Sequence, residues 1–127
     1  MTGKKILLVD DEPMIRDTLA KHLTERGATV EVQGSYEDGL AALKKEMPDA
    51  IVLDVMMGGR SGVDLAKEIH KMPPPHPYVM ILTNSLNADY IADGIEAGVA
   101  NFVQKAEHDP AEIVDMIARK LSGTSNL

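Results

Sequence analysis

Ile6-Leu7-Leu8-Val9-Asp10-Asp11-Glu12-Pro13 is the stretch that decides the fold. Its first four residues are apolar without interruption, as expected of a strand covered on both faces. Three acids end the run abruptly, and Pro13 suits the first position of a helix. Ile15, Leu19 and Leu23 follow at helical spacing, and Gly27 fits a helix stop. A buried strand, an acidic turn and an amphipathic helix form half of a parallel βαβ unit.

The pattern repeats along the chain. Thr29–Gln33 alternates weakly, as a strand near a sheet edge does. Ser35, with Asp38 three residues on, resembles a capping box for a helix bearing Leu40, Leu43 and Met47. Ala50–Leu53 is a third strand ending at Asp54, followed by a glycine-rich loop from Met56 to Gly62 and a helix marked by Leu65 and Ile69. Pro73, Pro74, Pro75 and Pro77 exclude helix before a fourth strand, Tyr78–Leu82. A fourth helix carries Ile91 and Ile95, with Gly94 inside it as a weak point. Phe102–Gln104 is a fifth strand. Asp109 and Pro110 open a last helix whose apolar face is Ile113, Met116, Ile117 and Leu121. The reading is a doubly wound (βα)5 sandwich, a flavodoxin-like fold with a five-stranded parallel sheet in the order 2-1-3-4-5. Residues 1–122 form the domain, and 123–127 a polar C-terminal tail.

Composition sets limits. The 127 residues suffice for one core. No apolar run approaches the roughly 18 residues that cross a bilayer, and the N-terminus lacks a signal-peptide pattern. Without cysteine there is no thiolate chemistry. The simplest placement is cytoplasmic, with no membrane contact. A net charge of −7 opposes direct binding of nucleic acid, and four aromatic residues offer no stacking platform.

Chemistry gathers at the strand ends. Strand one ends in Asp10 and Asp11, strand three in Asp54, strand four in Thr83 and strand five near Lys105. In an open parallel sheet these share the carboxyl edge, where ligands bind. Three carboxylates repel one another, and a hard cation that accepts oxygen ligands relieves the cost, which suits Mg²⁺. Asp54 is the candidate nucleophile toward phosphorus, Lys105 neutralises phosphoryl charge, and the Thr83 hydroxyl bonds the transferred group. Singly, each residue has a plainer role: Asp10 and Asp11 would cap a helix, Asp54 would be a polar strand end, Thr83 an ordinary strand residue or helix cap, and Lys105 a solvated surface lysine. The four histidines show no ligand spacing. The Asp-Asp-Glu-Pro turn excludes a glycine-rich dinucleotide site.

In order and position these residues resemble the receiver domains of two-component response regulators, over nearly the whole chain. Leu7 to Pro13 is similar to the family's first strand and acidic pair. Asp54, Met57 and Gly62 are similar to its phosphoacceptor loop, with Gly98 before strand five, and Thr83, Phe102 and Lys105 to its hydroxyl, switch aromatic and lysine. The resemblance implies Mg²⁺ held by Asp11, Asp54 and the Met56 carbonyl, with Asp10 assisting through water. It implies a histidine kinase or phosphotransfer protein as donor, and an output partner that the sequence does not name. The chain is then a phosphoacceptor switch that assists its own phosphorylation and dephosphorylation, and no conventional enzyme. A phosphohydrolase of the aspartyl-phosphate type generally needs a second acid where Met56 stands. A receiver that keeps the fold without being phosphorylated is the alternative.

Three positions depart from the family pattern: Gly58 and Ala106, where it has proline, and Asn84, where it has a small residue. A cis bond before Ala106 would cost about 2.5–4 kcal/mol, so a trans Lys105–Ala106 bond is expected, with Lys105 still reaching Asp54. Phe102 fits either a core role or a two-rotamer switch, outward when unmodified and inward once Thr83 moves.

Overall fold

The computed structural model describes residues 1–57, 59–84 and 87–122, so the 123–127 tail and the Gly58 departure lie outside the described residues. In chain order the elements are β1 (Lys5–Val9), α1 (Pro13–Glu25), β2 (Thr29–Gln33), α2 (Tyr36–Lys45), β3 (Ala50–Asp54), β4 (Met56–Met57), β5 (Arg60–Ser61), α3 (Gly62–Lys71), β6 (Tyr78–Thr83), α4 (Ala88–Glu96), β7 (Asn101–Gln104) and α5 (Pro110–Ser122). The main sheet runs β2-β1-β3-β6-β7 and is parallel throughout. Since β4 and β5 form a separate antiparallel hairpin, this is the 2-1-3-4-5 order expected from the sequence.

The unbroken apolar strands follow from the two packed faces. Leu7, Val9, Ile51, Leu53 and Ile81 pack with α2 and α3, whereas Ile6, Leu8, Val52, Met80 and Leu82 pack with α1 and α5. Successive side chains point to opposite faces, so a strand covered twice needs apolar residues at every position. β2, at the edge, is only half-buried.

Three details differ from the sequence reading. The glycine-rich loop contains the β4–β5 hairpin. Met47 lies beyond the end of α2, and Ala42 takes a buried place on that helix instead. On α4, Ile95 is 63% exposed and Gly94 is the buried residue. The Phe102 ring comes so close beneath α4 that a Cβ at Gly94 would overlap it. Gly94 therefore makes room for the ring, and Ile95 is turned away.

Candidate functional site

β3 and β6 end on Asp54 and Thr83 at the carboxyl edge, and Asp10 and Lys105 directly follow β1 and β7 there. Asp10 and Asp54 are 4% and 6% exposed, and Thr83 is 1% exposed. Lys105 opens a 3-10 turn directly after β7. Its ammonium nitrogen lies 3.3 Å from Asp54 Oδ1, 3.5 Å from Asp10 Oδ2 and 3.0 Å from Glu12 Oε1. The Lys105–Ala106 peptide is trans, as expected, and the cis bond among the described residues is Pro74–Pro75. The lysine thus reaches the site without the family's proline.

Asp10 is held by its own turn: Oδ1 accepts the Glu12 N–H at 2.8 Å. Its other oxygen, Oδ2, is buried and among the described residues has no hydrogen bond, the ionic contact with Lys105 being longer. Oxygens of Asp10, Glu12 and Asp54 lie within 4.8 Å of one another. One ammonium does not balance three carboxylates. The buried, unbonded oxygen and the surplus of hard oxygen donors fit a divalent cation such as Mg²⁺. Asp11 is exposed and stands on the rim of the cleft with Met56 and Asn84.

The electrostatics follow from burial and crowding. Burial, and next the charge of Asp10, push the Asp54 carboxyl up to about 6, with Lys105 opposing. Asp10 is also raised, chiefly by burial. Burial alone would lower Lys105, but its bond to Glu12 and the charges of Asp10 and Asp54 outweigh this and raise it.

The loop after Asp54 is pinned at several points. Val55 N–H donates to the Leu82 carbonyl, and Gly62 N–H donates to the Val55 carbonyl at 2.9 Å. The Gly62 α-carbon approaches the Asp54 carbonyl so closely that any Cβ would collide with it. Ser61 and Asp64 form a reciprocal capping box at the start of α3. The Arg60 guanidinium sits 4.0 Å above the Tyr36 ring.

Sequence reasoning missed two residues that meet this site. Glu12 carries no sequence signal beyond its place in the acidic turn, yet its carboxylate accepts a hydrogen bond from Lys105. Tyr90, on α4, places its phenol oxygen 2.6 Å from Thr83 Oγ1 and lines the same cleft, of about 420 Å³, as Asp54. Phe102 is half-buried, with its ring beside that of Tyr90.

A doubly wound parallel α/β domain with acids, a hydroxyl and a lysine at its strand ends is the class that fold and site define. A family model for the response regulator receiver domain matches residues 6–118, and the chain belongs to that family. The transcriptional regulatory protein AfsQ1 of Streptomyces coelicolor is 34% identical over 100 residues, covering 79% of this chain and 44% of AfsQ1. The transcriptional activator protein ExaE of Pseudomonas putida is 32% identical over 120 residues, 93% of this chain and 55% of ExaE. The chain spans about half the length of these curated relatives. A CheY-like receiver domain protein of Methanospirillum hungatei shares the fold with a TM-score of 0.88 at 24% identity, each chain being 97% covered. The BeF3-activated receiver domain of DrrB, from Thermotoga maritima, gives a TM-score of 0.82 at 29% identity, covering 96% of this chain and 99% of that one. Receiver domains are phosphoacceptor switches rather than catalysts. Among the described residues, no helix is long and apolar enough to cross a membrane.

Proposed function

We propose that this receiver domain is phosphorylated on Asp54, in a Mg²⁺-dependent transfer from a histidine kinase or phosphotransfer protein, and that the phosphoryl group switches a partner-binding surface. One observation carries the reading: the Asp54 carboxylate lies 3.3 Å from the Lys105 ammonium and beside Asp10, whose buried Oδ2 has no hydrogen bond among the described residues. With its carboxyl at about 6, Asp54 is mostly anionic at neutral pH and able to act as a nucleophile.

An Asp54 oxygen attacks phosphorus as the bond from phosphorus to the donor's imidazole nitrogen breaks, and that nitrogen keeps the electron pair. Lys105 faces the phosphoryl oxygens as their charge redistributes. The Thr83 hydroxyl donates a hydrogen bond to one of them. Asp10, Asp11, Asp54 and the Met56 carbonyl are the proposed Mg²⁺ ligands, and the cluster adds Glu12 as a candidate. When bound, the cation supplies charge neutralisation for the phosphoryl oxygens. Water entering the same cleft hydrolyses the acyl phosphate and resets the switch. The output surface is formed by α4, β7 and α5. A donor that exchanges phosphoryl groups with the ATP pool puts the exchange in the cytoplasm, and the acidic domain makes no direct contact with nucleic acid.

The test is incubation with acetyl phosphate and Mg²⁺, followed by intact mass. The expected result is one added phosphate, lost in EDTA and in Asp54→Asn. Addition that persists unchanged under both conditions contradicts the reading.

A further inference from the structure

Thr83 Oγ1 and the Tyr90 phenol oxygen are 2.6 Å apart, and Thr83 is 1% exposed. Tyr90 and Asp54 line the same cleft. The Tyr90 ring lies beside Phe102, with centroids 6.1 Å apart and planes tilted by 44°. Phe102 in turn occupies the space that Gly94 leaves beneath α4. Thr83, Tyr90, Phe102 and Gly94 thus connect the end of a core strand to α4. We propose that Tyr90 is a positioning residue that acts through Thr83: its phenol holds the hydroxyl in the unmodified state and must release it before the hydroxyl can serve the phosphoryl group on Asp54. The inference rests on the phosphoacceptor reading given above.

A threonine hydroxyl has one proton and two lone pairs. If Thr83 donates to Tyr90, the proton needed by a phosphoryl oxygen is already committed. If Tyr90 donates, the phenol fixes the position of Oγ1, and any shift toward Asp54 stretches a short bond. In either case the phosphoryl group and the phenol compete for one small group. The competition is unequal, because a phosphoryl oxygen accepts a charge-assisted bond, about twice as strong as a neutral one. The phosphoryl group wins, and the phenol lowers the affinity with which it is held. Tyr90 therefore sets the threshold of the switch. Its release also frees the ring that borders Phe102, so strand end and helix respond together.

The probe is beryllofluoride with Mg²⁺, titrated into the full chain by ¹⁹F NMR or calorimetry. Tyr90→Phe keeps the ring and removes the competing oxygen. It is expected to bind beryllofluoride about twofold to tenfold more tightly than wild type, the range of a neutral hydrogen bond's net worth. In a Thr83→Ala background the same substitution is expected to change nothing, which a merely structural role for Tyr90 would not produce. Unchanged or weaker binding by Tyr90→Phe overturns the proposal, the weaker result meaning that the Tyr90 hydroxyl itself donates a hydrogen bond to the phosphoryl mimic. An equal gain without the Thr83 hydroxyl overturns it as well. A second measurement needs no variant: the Thr83 χ1 population in the wild type, from three-bond couplings, must change when beryllofluoride binds, and a fixed rotamer contradicts the proposal. Wild type that does not bind beryllofluoride, or Asp54→Asn that binds it equally well, overturns the phosphoacceptor reading and this inference together, so the two failures are distinguishable.

Discussion

Asp54 releases its proton near 3.8 in an unfolded chain but only at about 6 in the fold, because burial and the Asp10 charge oppose ionisation. Between those values the folded state binds more protons than the unfolded one, so the metal-free protein loses stability as pH rises through the window. Above it the full cost applies, about 2–3 kcal/mol. Asp54→Asn removes that titration. In EDTA at neutral pH the variant is expected to be more stable than wild type by about that amount, and the difference should close as pH falls toward 4. Urea titrations across this range check it; a gap that does not change with pH would show that ionisation of Asp54 is not the source. Gly94 gives a second prediction at this scale. Glycine to alanine within a helix usually stabilises by about 1 kcal/mol. Here a Cβ overlaps the Phe102 ring, so overpacking should reverse the sign, costing about 1–3 kcal/mol. Combining Gly94→Ala with Phe102→Leu should recover part of the loss, as non-additive denaturation midpoints would report.

At the scale of elements, the strands and helices were legible because their apolar periods are strong, and Asp109 does cap α5 through the Glu112 N–H at 2.9 Å. The β4–β5 hairpin was not legible, since strands of two residues carry no period and glycines disguised them as loop. The exposure of Ile95 was hidden for a different reason: helical spacing alone does not reveal that a ring from β7 packs against Gly94. The hairpin leads into α3 through the Ser61 cap and the Arg60–Tyr36 contact. Ser61→Ala should cost about 1 kcal/mol, and Arg60→Ala about 0.5–1 kcal/mol. Both losses should be accompanied by faster amide exchange at Gly62 and Val63. Unaltered exchange there would mean that the backbone bonds of Val55 and Gly62 hold the loop unaided.

At the scale of the molecule, the fold brings Asp10, Asp54, Thr83 and Lys105 from four separate strand ends to one edge, with Asp11 at the rim. That convergence could be read from the sequence because parallel strand order fixes which end each residue occupies. Glu12 and Tyr90 could not be read in this way. Their reach depends on how a turn directs one side chain and how α4 sets Tyr90 against the end of β6, and neither leaves a periodic trace. The assembled charge predicts that Mg²⁺ stabilises the whole domain by mass action, with the melting temperature of wild type rising with cation concentration and that of Asp10→Asn rising less. Equal shifts in both would remove Asp10 from the cation site. The central claim, that Asp54 accepts the phosphoryl group, is tested most directly by locating the acyl phosphate. Protein phosphorylated with acetyl phosphate and Mg²⁺ is reduced with borohydride, which converts an aspartyl phosphate to homoserine, and is then mapped by peptide mass spectrometry. Homoserine at position 54 alone is the result this account predicts; homoserine at Asp10 or Asp11, or phosphate retained on a histidine, would contradict it.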